Sequence, residues 1–142
     1  MKKLLAAFAI LVVCACSPKK PVATGEKPLF EILTRQNDGG ANIRFYEILT
    51  EPREISMLKS DVNLKNKISD TDINSSSFII LNMGEKATGG FFIGVESVVE
   101  SNDKIIVTVK EQEPKPGEMT TMAITYPYSI VKINSKKPIE IK

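Results

Sequence analysis

The chain has 142 residues, with 19 Lys and Arg against 17 Asp and Glu, and it contains no histidine or tryptophan. That length suits one domain, and the near balance of charge gives no support to nucleic-acid binding through a basic face. Without histidine the commonest general base and the commonest transition-metal ligand are both missing, so catalysis, a metal centre and a cofactor are not expected.

Met1, Lys2 and Lys3 precede an apolar run over 4–13 and then Cys14-Ala15-Cys16-Ser17, the n-region, h-region and cleavage layout of a secretory signal. Ten apolar residues rise only ~15 Å as a helix, about half the hydrocarbon thickness of a bilayer, so removal is expected rather than a permanent span. Val13-Cys14-Ala15-Cys16 resembles the bacterial lipobox. The resemblance implies a signal peptide over 1–15, acylation of Cys16 and anchorage in the lipid bilayer through that cysteine. Ser17 in the next position directs the expectation to the outer membrane of a bacterial envelope. Two acyl chains satisfy what stable attachment requires. Loss of Lys2 and Lys3 with the signal leaves 17 basic against 17 acidic side chains. Cysteine occurs nowhere else, which excludes a disulfide framework and leaves stability to packing.

Residues 16–28, with Pro18, Pro21, Gly25 and Pro28 and little apolar content, read as a lipidated cysteine followed by an extended tether in which Lys19 and Lys20 are solvated. A single β-rich domain is expected over 29–142. Its first strand is placed at 29–34, followed by the turn formers Gln36-Asn37-Asp38-Gly39-Gly40 and a second strand at 43–49. Thr50 as a possible N-cap, Pro52 in the first turn and Glu51 and Glu54 near a positive helix end predict one short helix through Ile55, Met57 and Leu58.

The stretch 61–77 is polar and reads as loop-rich, with Val62, Leu64, Ile68 and Ile73 as apolar anchors. Phe78-Ile79-Ile80-Leu81 is a run expected of a central strand buried on both faces. Phe91, Ile93 and Val95 alternate with Phe92, Gly94 and Glu96 in a strand that continues to Val99. Ser101-Asn102-Asp103 turns the chain into a second alternating strand through Ile105, Val107 and Val109, so the pair predicts an antiparallel hairpin. Pro114-Lys115-Pro116-Gly117 breaks the pattern before an extended segment at 119–125, a strand at 129–133 and a short last strand at 139–141. The absence of a βαβ rhythm gives the expected class: mostly β, a small antiparallel sandwich or open barrel with one short helix.

Gly84-Glu85-Lys86-Ala87-Thr88-Gly89-Gly90 superficially resembles a phosphate loop but lacks Lys and Ser/Thr directly after its second glycine, and a strand rather than a helix follows. Its glycines suit close backbone approach. As a recognition loop it would offer Gly84, Thr88, Gly89 and Gly90 as backbone and the ring of Phe91 as apolar contact. Tyr126-Pro127-Tyr128 is a second candidate contact, or the cover of one end of the sandwich. Ser75-Ser76-Ser77 carries no spacing that specifies a nucleophile, and Asp70, Asp72 and Asn74 lack the glycine and terminal acid of a calcium loop.

From about Ile73 to Ile133 the order of features is an apolar strand, Thr88-Gly89-Gly90-Phe91, a hairpin, a proline-rich turn and Thr125-Tyr126-Pro127-Tyr128. It resembles the C-terminal domain of the protease complex subunit PrcB family. Phe91-Phe92 stands where that family more often has tyrosine, and Ile73 where it often has an aromatic, both changes that keep apolar character. The resemblance implies a non-enzymatic accessory lipoprotein that associates with and stabilises an exported subtilisin-like protease, with Gly84, Thr88, Gly89, Gly90, Phe91, Tyr126, Pro127 and Tyr128 as partner contacts. The alternatives are a protease inhibitor that uses the glycine-containing loop, and a structural or ligand-binding envelope lipoprotein.

Overall fold

The computed structural model describes residues 27–142; the expected signal peptide, Cys16 and the expected tether through Glu26 lie outside them. Among the described residues seven strands form two sheets. The first has the order β1 (Phe30–Gln36), β6 (Tyr128–Ile133), β3 (Ser77–Met83), β2 (Arg44–Leu49), and the second β4 (Phe92–Glu100), β5 (Ile105–Gln112), β7 (Ile139–Ile141). Two short helices, α1 (Pro52–Leu58) and α2 (Asp70–Ser75), lie between β2 and β3 in the chain. The fold is a small β sandwich, not closed into a barrel, with a helical layer on its outer side.

The first sheet is the shared wall of two cores. Ile79 and Leu81 of β3 and Val131 and Ile133 of β6 face the second sheet, where they meet Ile93, Ile105 and Val107. Phe78 of β3, with Tyr128 and Ile130 of β6, faces the other way and packs under Ile55 of α1 and Leu64 and Ile68 of the following loop. Alternate side chains of one strand point to opposite faces, so a strand walled by both cores must be apolar at consecutive positions. That is why 78–81 reads as an unbroken apolar run, as the sequence predicts for a central strand.

The hairpin is also as expected, with β4 and β5 antiparallel from Phe92–Gln112 to Glu100–Ile105. A bulge between Val95 and Ser97 breaks its register. The extra residue reverses the inward parity, so Val98 joins the core while Val99 is exposed. A second bulge between Ile32 and Thr34 places both Leu33 and Thr34 inside.

Four expectations are corrected. The stretch 61–77 is not all loop: Ser69 caps α2 in a reciprocal box with Asp72, giving a second helix. The sheets are not wholly antiparallel, because the chain crosses over after β6 and lays β7 parallel to β5, Ile105–Ile139 to Val107–Ile141. The segment 119–125 forms no strand; its one ladder contact is an isolated bridge between Thr125 and Lys86. At α1 the N-cap is Glu51 rather than Thr50, without a side-chain bond, and Pro52 occupies the first turn as expected.

Candidate functional site

Three connections meet at one end of the sandwich: 37–43 between β1 and β2, 84–91 between β3 and β4, and 113–127 between β5 and β6. Backbone hydrogen bonds knit them together. Lys86 and Thr125 exchange both N–H···O bonds at 2.9 Å, Gly89 donates to Thr121 O at 3.0 Å, Glu85 to Asn42 O at 3.1 Å and Gly40 to Tyr126 O at 2.9 Å. Asn82, 1% exposed on β3, holds the first connection from beneath. Its Oδ1 accepts from Ala41 N–H at 3.0 Å, and its Nδ2 donates to Ala41 O at 2.9 Å and to Ile43 O.

Every residue singled out in the sequence as a partner contact lies at this end, but several are built into the knot. Gly84 is buried with φ +76°, and a Cβ there would stand 2.9 Å from Arg44 N, so both conformation and space demand glycine. Gly89 is buried against Thr121, whose hydroxyl a Cβ would meet. Thr88 accepts at its carbonyl from the Thr125 hydroxyl at 2.9 Å, and Gly90 beside it is half-buried. Phe91 is half-buried against the inter-sheet core, with the Lys86 ammonium 5.3 Å from its ring centroid.

Of the aromatic pair, Tyr128 is buried in the helix-side core and its hydroxyl accepts from Asn63 Nδ2 at 3.1 Å. Pro127 is buried and its carbonyl accepts from Met83 N–H at 2.9 Å. Tyr126 is half-buried, with its N–H on Asp38 Oδ1 and its hydroxyl donating to Glu85 Oε2, each at 3.1 Å. The Glu85 bond holds the Tyr126 phenol above its ordinary pKa, with burial and the charges of Glu85 and Asp38 acting in the same direction. The segment thus covers one end of the sandwich and presents one ring partly outward.

The side chains displayed to water are others. Met119 and Met122 are 99% and 97% exposed, and Ile43 and Ile124 71% and 57%. Sequence reasoning missed the two methionines because it read 119–125 as an extended segment. The signal available was Pro114-Lys115-Pro116-Gly117, which delivers the chain into a loop with no strand beside it.

Next to this end Arg44, Tyr46 and Glu111 tie β2 to β5. Arg44 Nε donates to Glu111 Oε1 at 2.9 Å and Nη2 to the Tyr46 hydroxyl at 2.7 Å, while that hydroxyl donates to Glu111 at 2.8 Å. Burial pushes the Glu111 carboxyl up, but the bonds from Tyr46 and Arg44 outweigh it and the net shift is downward. The cluster is a structural clasp in which Arg44, Tyr46 and Glu111 each bond the other two.

Among the described residues no three His, Cys, Asp or Glu side chains gather as a metal site, and no helix is long and apolar enough to cross a membrane. Hydroxyls of the serine run are engaged in structure: Ser75 bonds Thr71 O at 2.8 Å, Ser76 the Asn134 side chain at 3.3 Å and Ser77 Ser135 O at 3.0 Å. Asp70 and Asp72 lie in the first turn of α2, where they complement its N-terminus.

Comparison with known proteins places this geometry. The chain is 32% identical over 69 residues to uncharacterized protein MJ1373 of Methanocaldococcus jannaschii, covering 49% of this chain and 41% of that protein. This chain therefore spans about two fifths of the length of the curated relative that it matches. No solved structure matches it. The PrcB C-terminal family matches residues 77–134, a segment that runs from the start of β3 through the hairpin, two of the three connections of the knot and β6. The similarity of this chain to the PrcB C-terminal family thus lies in its residues 77–134.

Proposed function

We propose that this protein is a non-enzymatic accessory lipoprotein, anchored in a bacterial envelope membrane through acylated Cys16, that holds an exported protease of the subtilisin-like class against its loop end. The observation that carries the reading is the display of Met119 and Met122, almost wholly in water, on a loop of the family segment that hydrogen bonds hold in place. Flexible thioether side chains suit a surface that must fit another protein, and burying each would contribute about 1.5–3 kcal/mol. A membrane tether raises the concentration of the domain near a partner at the same surface.

Affinity capture from detergent-solubilised native envelopes, followed by mass spectrometry, tests this. The unaltered chain is expected to retain one exported protease in near-equal amount, and the Met119→Ser/Met122→Ser variant about tenfold less or lower. Stability should stay within about 0.5 kcal/mol, since neither side chain is packed. Capture without change in the variant would move the contact elsewhere. Protease activity in the complex separates the roles, because an accessory subunit preserves it and an inhibitor abolishes it.

The anchor has its own test. Cys16→Ser is expected to abolish labelling by radioactive palmitate and to release the chain from the membrane fraction; a labelled or membrane-bound variant would contradict lipidation at this residue.

A further inference from the structure

Four strands form the edges of the two sheets: β1 and β2 in one, β4 and β7 in the other. Natural edges are blunted by bulges, shortness or cover, because an unpaired row of backbone N–H and C=O groups accepts another strand. β1 and β4 are bulged, and β7 has three residues. β2 has neither defence: six residues run in unbroken register against β3, from Arg44–Met83 to Leu49–Phe78. Phe45 and Ile48 on it are each more than a third exposed.

Beside this edge, α1 leaves a groove of about 230 Å³ lined by Glu47 and Leu49 of β2, Glu54, Met57 and Leu58 of α1, and Ile80 of β3. Small-molecule pockets measure about 300–1,000 Å³, so this one is sized for a side chain. Its floor is apolar. At its rim Glu47 and Glu54 form no ion pair among the described residues. An aliphatic stem ending in a cation complements such a surface, with the stem on Leu49, Met57 and Ile80 and the charge at the carboxylates.

We propose that β2 and the α1 groove bind an extended segment of a protein partner, which adds to the sheet beyond β2 and seats a Lys or Arg side chain between Glu47 and Glu54. Main-chain bonds to the open edge supply affinity, and the groove selects every second side chain of the added strand. Both β2 and α1 precede the family segment at 77–134. The surface is independent of the loop end: a protease could be held there with this edge empty, and a strand could bind here with no protease present.

The test uses the full chain in detergent and a blocked heptapeptide that alternates valine with lysine, with its valine–glutamate counterpart as control. The lysine peptide is expected to slow hydrogen–deuterium exchange over 44–49, and fluorescence anisotropy to show binding about tenfold weaker or less in Glu47→Gln/Glu54→Gln. Both glutamates are exposed, so thermal unfolding of that variant should be unchanged. Equal affinity for the glutamate peptide, protection confined to 113–127, full affinity in the double variant, or no binding at millimolar peptide would each overturn the proposal. Concentration-dependent protection of 44–49 without peptide would identify a second copy as the occupant and overturn it too.

Discussion

Asn82→Leu is expected to lower stability by about 3 kcal/mol and to loosen the loop end at the same time. The two side chains are similar in size, so the loss comes from hydrogen bonding rather than from a cavity. Leucine leaves Ala41 N–H and the carbonyls of Ala41 and Ile43 without the side chain that served all three. An orphaned buried group costs about 1–3 kcal/mol, and water reaches part of this turn, which sets the sum near the low end for three. For a domain of this size the unfolding temperature should fall by about 10 °C. Connection 37–43 also carries Gly40, which donates to Tyr126 O, so its release frees one side of the knot. Exchange should therefore quicken over 37–43, and partner capture should drop although Met119 and Met122 are untouched. A loss under 1 kcal/mol would show that the turn is held by its backbone alone.

Asp72→Ala should cost a similar amount, about 3 kcal/mol, for an electrostatic reason. Asp72 is 4% exposed and closes the capping box of α2: its Oδ2 accepts from Ser69 N–H at 2.9 Å and from the Ser69 hydroxyl at 2.7 Å. It also faces Lys132, 8% exposed on β6, whose ammonium lies 3.7 Å from Asp72 and 2.9 Å from Glu31. Alanine removes the carboxylate half of the capping box, leaving Ser69 N–H without its acceptor, and leaves an enclosed ammonium with one carboxylate, itself half in water.

Burial pushes the Asp72 carboxyl up, but the two Ser69 bonds and the charges of Lys132 and Lys27 outweigh it, and the net pKa lies below the ordinary value. A group depressed in the folded state contributes stability that is complete above its unfolded pKa, about 4, and is lost as pH falls through the lower folded value. Urea midpoints of the unaltered chain and Asp72→Asn should therefore differ most at neutral pH and draw together below about pH 4. A constant gap across that range would assign the effect to shape rather than charge.

The parts of the fold that were legible are those written in consecutive or alternating apolar residues. Phe78-Ile79-Ile80-Leu81 announces a strand between two cores, and the β4–β5 hairpin announces itself by period two and a polar turn. What escaped depended on a single residue or on distance along the chain. The bulge beside Glu96 exchanges Val99 for Val98 on the inner face without any change in composition. Helix α2 has six residues, too few for periodicity to register, although Ser69-Asp70-Thr71-Asp72 carries its capping pattern. The parallel pairing of β7 with β5 is set by where the crossover lands, which no local pattern encodes. At the candidate site, the glycines and tyrosines singled out in the sequence fall together at one end of the molecule, because they belong to the tight loops that meet there. It did not separate the residues that build the knot from those that face outward, since that division depends on which neighbours, such as Thr121 behind Gly89, occupy each side.

The position of β6 imposes an order of events on the growing polypeptide. It lies between β1 and β3, and both of those strands take their register from it. Residues 128–133 are made after every other strand of the first sheet, so until they emerge β1 has no sheet neighbour and the wall between the two cores is missing its central plank. Pairing Phe30 with Ile133 closes a loop of almost the whole domain, the kind of distant contact that slows folding to milliseconds or longer. A chain that stops before residue 128 can form the β4–β5 hairpin but cannot complete either core, because Tyr128 and Ile130 belong to one and Val131 and Ile133 to the other.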